Sequence, residues 1–241
     1  MKKFIRILLV SFLAATFLVS CKKEANSVKL QPTSSLTVVN GIINSSQLLA
    51  DFANTHPVSI FYSTTHKIGF SSSFEYSLTS GTVPVTIYQR SDTSHNVYAN
   101  NVNLKGGGIY SLFLSGSNPS KPDAVFTTDI PPYHNGADST YGIRFINLTP
   151  DSAPVSINLQ GKANGSEIGS LAYKAITPFK NYPFSNNVMS ITFEVRDAIS
   201  GVLLTTFVGN PNPFSNNTIV IDGLENDPSG NSMFTFQVNN F

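Results

Sequence analysis

The sequence predicts an all-β protein made of two tandem immunoglobulin-like antiparallel β-sandwich domains behind an amino-terminal signal peptide. Three observations predict it. Ser, Thr and Asn supply 31, 20 and 24 of the 241 residues, and these short polar side chains compete with helical backbone bonds while suiting turns and wet sheet faces. Short runs alternate apolar and polar residues between Gly, Pro, Asn and Ser clusters, the period-two pattern of half-buried strands. The same order of runs then recurs about one hundred residues later.

The amino terminus comes first. Met1 to Arg6 is basic, Ile7 to Val19 is an almost unbroken apolar run, and Leu18-Val19-Ser20-Cys21 closes it. The run is short for a spanning helix and flanked like a secretory signal peptide, assigned to residues 1–20. Leu18 to Cys21 resembles the lipobox of bacterial lipoproteins. That resemblance implies cleavage before Cys21 and a diacylglycerol thioether on its sulfur, so the membrane is a partner through a lipid anchor at Cys21. Several acyl chains hold firmly, each buried CH₂ contributing about 0.8 kcal/mol. Cys21 is the one cysteine of the chain, which excludes an intramolecular disulfide and a thiolate zinc site. Lys22-Lys23-Glu24 lacks the aspartate that would resemble the inner-membrane retention signal of enteric bacteria, so an outer-membrane lipoprotein of the cell envelope, periplasmic or surface-facing, is expected.

Removing Lys2, Lys3 and Arg6 leaves 12 basic against 14 acidic residues, a net charge of −2. A nucleic-acid partner needs a basic face and is not expected. Residues 21–35 are polar, contain Pro32 and read as a lipidated tether. The first sandwich is expected over 36–130 and the second over 141–241, with a linker at 131–140 where Pro131 and Pro132 end a strand. Within them, Val83, Val85 and Ile87, then Val155, Ile157 and Leu159, then Met189, Ile191, Phe193 and Val195 each mark an apolar face. The opposite face of each strand is expected to meet solvent.

Four short matches carry the duplication. Leu36 to Asn40 corresponds to Ile143 to Asn147 at an offset of 107, and Pro57 to Ile60 to Pro154 to Ile157 at 97. Val85 to Ile87 corresponds to Ile191 to Phe193 at 106, and Ile109 to Leu112 to Ile219 to Asp222 at 110. The smaller second offset predicts about ten extra residues between Asn40 and Pro57. With about seven strands in each half and neither Trp nor a Cys pair, an antibody-type core is excluded, and aliphatic residues with the 18 Phe must fill the interior.

Gly142 to Ile157, with its strand, Asn147, the Thr149-Pro150-Asp151 turn and a second alternating strand, resembles the opening of the domain-of-unknown-function family 4397. Gly108 to Gly116 is similar to that family's late aromatic strand. Many members are tandem lipoproteins of the Bacteroidetes. The resemblance implies a β-sandwich envelope protein and brings no catalytic residues. The first copy lacks the Thr-Pro-Asp turn, and the second lacks the family's common aspartate in its second strand.

Few residue constellations suggest chemistry. His56, His66, His95 and His134 are scattered without metal spacing, and no Gly-x-Ser-x-Gly elbow is present. Gly106-Gly107-Gly108 reads as a hairpin turn. Asp222, Glu225 and Asp227 concentrate carboxylates in one loop, which raises calcium as a question, although their spacing departs from the EF-hand and no metal or cofactor is expected. Phe179, Tyr182 and Phe184, on a Pro-bounded loop, are the candidate ligand contacts, since rings on a stiff loop can stack on sugars or anchor a protein. Ser139 and Ser152 sit in Asp-Ser tripeptides that resemble O-glycosylation sites in Bacteroidetes. The expectation is a non-enzymatic, lipid-anchored envelope protein with a binding, adhesion or spacer role, its partner a glycan or an envelope protein. The alternative is an accessory glycan-binding subunit of an outer-membrane polysaccharide-capture system, and an enzyme with an unrecognised hydrolytic site stands third.

Overall fold

Strand formation follows the alternation, and two kinds of strand result. The computed structural model describes residues 31–53, 65–135, 139–184, 190–210, 212–225, 227 and 230–240. Cys21, His56, Pro57 to Ile60, Asp138 and Met189 lie outside them. Among the described residues every regular element is a strand. The first sandwich contains β1 (Thr33–Ile42), β2 (Leu48–Asp51), β3 (Ser72–Thr79), β4 (Gly81–Gln89), β5 (Asp92–Leu104), β6 (Ile109–Gly116) and β7 (Asp123–Asp129). The second contains β8 (Thr140–Asn147), β9 (Val155–Leu159), β10 (Ile168–Leu171), β11 (Lys180–Pro183), β12 (Ile191–Asp197), β13 (Leu203–Gly209), β14 (Asn216–Asp222) and β15 (Phe234–Asn239).

Both sandwiches are wired alike. One sheet of the first runs β3-β1-β6-β7 and its counterpart runs β11-β8-β14-β15. The other sheets run β2-β4-β5 and β10-β9-β12-β13, and Ile68 bridges Leu48 where β10 meets β9. Pairing is antiparallel except for β1 with β6 and β8 with β14, which are parallel. The first core gathers Leu36, Val38, Val85, Ile87, Leu112 and Leu114. The second gathers Ile143, Phe145, Phe193, Val195, Ile219 and Ile221. Phe193 and Val195 are buried and Ile191 packs beside them, so the phase read from the alternation of β12 holds.

Register corrects the sequence matches. Val38 pairs with Leu112 and Phe145 with Ile219. Leu112 therefore corresponds to Ile219 at an offset of 107, whereas the match at 110 is out by three residues, an odd slip that exchanges faces. The place of β9 is taken by β2, which pairs with β4 as β9 pairs with β12. Leu48 and Val155 again differ by 107, so no ten-residue insertion precedes the second strand. Val85 corresponds to Phe193, two residues from the sequence match, and an even shift keeps the face.

The paired asparagines explain why the offset begins there. Asn40 Nδ2 donates to the Ile68 carbonyl and its Oδ1 accepts from Ile42 N–H. Asn147 Nδ2 donates to the Leu171 carbonyl and its Oδ1 accepts from Thr149 N–H. Each side chain ties a strand end to the passing chain where the ladder stops, satisfying backbone groups in a dry place. Ser71 and Lys174, both with positive φ, donate their N–H groups to the Asn40 and Asn147 carbonyls.

The sheets containing β1 and β8 pack against each other. Residues 32–241 form one compact unit, and a third core of Val39, Phe113, Ile146, Leu148, Val220 and Val238 lies between the sandwiches. Both faces of these inner strands are therefore interior, and the solvent face expected for the strands of Val85 and Ile157 is also dry at Thr86, Ser156 and Asn158. Beside this core Arg144 Nη1 meets Asp129 Oδ1 at 2.7 Å, with the two side chains 4% and 0% exposed. Arg144 Nε donates to Thr218, and Ser111 donates to the other Asp129 oxygen. The contacts follow a pseudo-two-fold: Phe70 meets Phe234 of the second sandwich edge to face, and Tyr173, at the corresponding place, bonds to Ser115 and Asp123 of the first.

Candidate functional site

The aromatic loop is the first place to look. β11 is an edge strand whose Tyr182 pairs with Tyr141 of β8, and the alternation turns the Tyr182 ring inward. It packs against Tyr141 at 6.0 Å and Phe193 at 5.4 Å between ring centroids. Its hydroxyl donates to Glu167 Oε2 at 2.6 Å, and Lys180 Nζ reaches the same oxygen at 2.7 Å. Burial first, and then the Glu167 carboxylate, push the Tyr182 phenol well above its usual range. The phenol thus stays a protonated donor. Glu167 has a side chain only 7% exposed while that of Lys180 is 60% exposed. A cleft of about 200 Å³ opens beside this trio, walled by Ile143, Phe145, Ile168 and Pro178. That is below the roughly 300 Å³ at which small-molecule pockets usually begin.

The other two rings are also engaged internally. Arg144 lies 4.5 Å from the Phe179 ring centroid, and Phe184 packs half-buried on the second core. Of the three predicted contacts, Tyr182 is thus a core residue with a polar tip, and Phe179 helps to shield the buried guanidinium. The sequence showed a Pro-bounded aromatic loop but not the sheet edge onto which it folds.

The three carboxylates of the acidic loop have separate surroundings. Asp222 is fully buried in β14, Glu225 accepts from Ala153 N–H, and Asp227 accepts from Asn231 N–H. Among the described residues no three acidic, His or Cys side chains come together as metal ligands. Asp222 is the residue that sequence reading missed as unusual. Its Oδ1 accepts from Gly223 N–H, its Oδ2 has no partner, and burial raises its pKa to about 8. A Cβ at Gly41 would lie 2.7 Å from that oxygen, so only glycine lets β1 approach it.

Asp92, Ser94 and His95 form a tight exposed cluster at the start of β5. Ser94 Oγ and Asp92 Oδ2 both meet His95 Nδ1, at 2.9 and 3.0 Å. A proton relay needs its hydroxyl and carboxylate on opposite ring nitrogens, so this is a local turn. The Ser94 side-chain bond, then that of His95, holds Asp92 down at about 2. His66 stacks on Phe74, and His134 Nε2 lies 3.0 Å from Asn216 Oδ1. Gly107, with φ of 73°, makes the expected turn into β6, closed by Gly108 N–H to the Lys105 carbonyl. Ser139 is exposed, while Ser152 donates its hydroxyl to the Thr149 carbonyl.

A second polar group gathers at one end of the first sandwich, where the β1–β2 and β4–β5 turns meet. Ser45, Ser46, Gln47, Phe70, Arg90 and Ser91 surround an open pocket of about 530 Å³. Arg90 Nη1 donates to Gln47 Oε1 at 2.6 Å, Ser91 Oγ to Ser46 Oγ at 3.0 Å, and Ser46 N–H to Gln89 Oε1. No sequence motif signals it, because its members come from three separate segments.

The class defined by this architecture is an all-β protein of two similarly wired sandwiches fused through a common core, with a small, mostly apolar cleft at a sheet edge and an open polar pocket at a loop end. No protein-family model matches the chain, and no curated protein does. Among solved structures the chain is similar, at 18% identity and a TM-score of 0.28, to the C-terminal domain of AlgF from P. aeruginosa, over 42% of this chain and 99% of that one.

Proposed function

We propose that the protein is a lipid-anchored cell-envelope protein of the outer membrane with a non-enzymatic binding, adhesion or spacer role. The observation that carries this reading is the position of Cys21, the chain's single cysteine, at the end of the apolar run after Lys2, Lys3 and Arg6. The resemblance to the tandem lipoproteins of the domain-of-unknown-function family 4397 points the same way. A spacer role is supported by the shared core, which stiffens the two sandwiches against hinging. The accessory glycan-binding role in polysaccharide capture is the second reading, favoured by the open polar pocket beside Arg90.

Cys21→Ala tests the anchor. The variant is expected to leave the membrane fraction and to lose the mass of the lipid. Unchanged fractionation and mass would overturn the proposal.

A further inference from the structure

The two sandwiches serve as controls for each other, because the same turns are built twice from different side chains. Arg90 N–H donates to the Gln47 carbonyl at 2.7 Å, and Ala198 N–H donates to the Pro154 carbonyl at 3.0 Å. These bonds occupy equivalent places, so Ser46, Gln47, Arg90 and Ser91 correspond to Ala153, Pro154, Ala198 and Ile199. The second copy has no polar side chain at those four places and holds its turn from other positions, Ser200 donating to Asp197 and Arg196 to the Gly201 carbonyl. The fold can thus close this turn without polar side chains at those places, and ordering the long ones of the first copy there has an entropic cost.

We infer that the pocket formed by Ser45, Ser46, Gln47, Phe70, Arg90 and Ser91 binds an acidic saccharide, one sugar ring bearing a carboxylate. Among the described residues lining it, Arg90 is the one charged side chain. A planar guanidinium suits a carboxylate because it presents paired donors, and its orientation here is fixed by Gln47. The Ser46 and Ser91 hydroxyls and the Gln47 amide offer both donors and acceptors, which suits the hydroxyls of a sugar better than a simple anion. Phe70, braced by Phe234, supplies the apolar wall against which a sugar ring can lie. At about 530 Å³ the pocket is within the range of small-ligand sites. The inference rests on the binding role proposed above and not on the membrane anchor.

Calorimetric titration of the full chain in detergent, with a glucuronic-acid-terminated disaccharide and with its methyl ester, tests it. The acid is expected to bind saturably and the ester at least tenfold more weakly. Arg90→Ala, and Arg90→Ala with Ser91→Ile, import side chains with which the second copy already builds this turn. Both are expected to keep the wild-type circular dichroism and weaken the acid at least tenfold. No saturable binding, equal binding of the ester, undiminished binding by Arg90→Ala, or inorganic sulfate binding as tightly as the disaccharide would each overturn the inference. Fractionation of Cys21→Ala is read separately, so a failed anchor and a failed saccharide site are distinguishable.

Discussion

The strands β1, β6, β8 and β14 lie in the two inner sheets, whereas β4, β5, β12 and β13 lie in the two outer ones. The inner strands are buried on both faces almost throughout, as in β14, while β12 and β13 keep a partly wet face. Their sequences differ accordingly. Val38-Val39 and Ile219-Val220-Ile221 are continuous apolar runs, whereas Phe193-Glu194-Val195-Arg196 alternates. The inner strands also carry polar groups that only a partner sheet satisfies. Arg144 would be an ordinary exposed arginine on an isolated sandwich, yet here Asp129 and Thr218 hold it in a dry interface. The shared core thus depends on specific pairing as well as apolar area, because each buried charge must meet its counterpart.

Removing one partner of that pair is expected to produce the largest effect. Arg144→Met leaves Asp129 buried without its cation and should cost about 3–5 kcal/mol in urea unfolding. The double variant Arg144→Met/Asp129→Leu should recover most of that loss. If the single variant loses under about 1 kcal/mol, the two inner sheets do not meet as described. Phe113→Ala empties the middle of the shared core and should cost about 3–5 kcal/mol, like Phe193→Ala in an outer-sheet core. The two should differ in kind: Phe113→Ala is expected to split one cooperative transition into two, and Phe193→Ala is not. Identical unfolding profiles would remove the distinction between shared and private cores.

Asp222 sharpens the same contrast through pH. Its folded-state pKa, about 8, lies above the ordinary carboxylate value of 3.8. The native state therefore holds a proton that the unfolded chain releases between those values, and stability falls as pH rises from about 4 toward 8. For this single group the fall between pH 6 and 7 is expected to be about 1 kcal/mol. Asp222→Ser, which installs the residue found at Ser115 in the first copy, should flatten that slope. An unchanged slope would show that the buried carboxyl is not the group responsible. The smallest effect belongs to the outer sheet, where Thr192→Ala on the half-exposed face of β12 should cost well under about 1 kcal/mol. A larger loss than that of Phe193→Ala would reverse the faces of the strand.

Much of this was legible in the chain, and what was not has identifiable causes. The strand phase of β12 could be read because period-two alternation is a local property. Asn40 and Asn147 could be matched because each follows an apolar run. The register of β6 against β14 could not, because Ile109 to Leu112 and Ile219 to Asp222 are similar at several offsets, and only pairing to β1 and β8 chooses among them. Tyr182 looked like a contact residue because sequence shows a ring beside prolines but not the core behind it.

What the sequence by itself determined is the all-β class, the alternation of β12, the turns at Gly107 and Asn147, and the duplicated order of strands. All of these follow from local stereochemistry and side-chain periodicity. Tertiary structure alone decided that the sheets of β1 and β8 share one interior, that Arg144 finds Asp129, that Asp222 is buried, and that Arg90 gathers a pocket with Gln47 and Phe70. The reason is distance along the chain. These contacts join separate segments, so their free energy depends on mutual placement, which no local pattern of residues records.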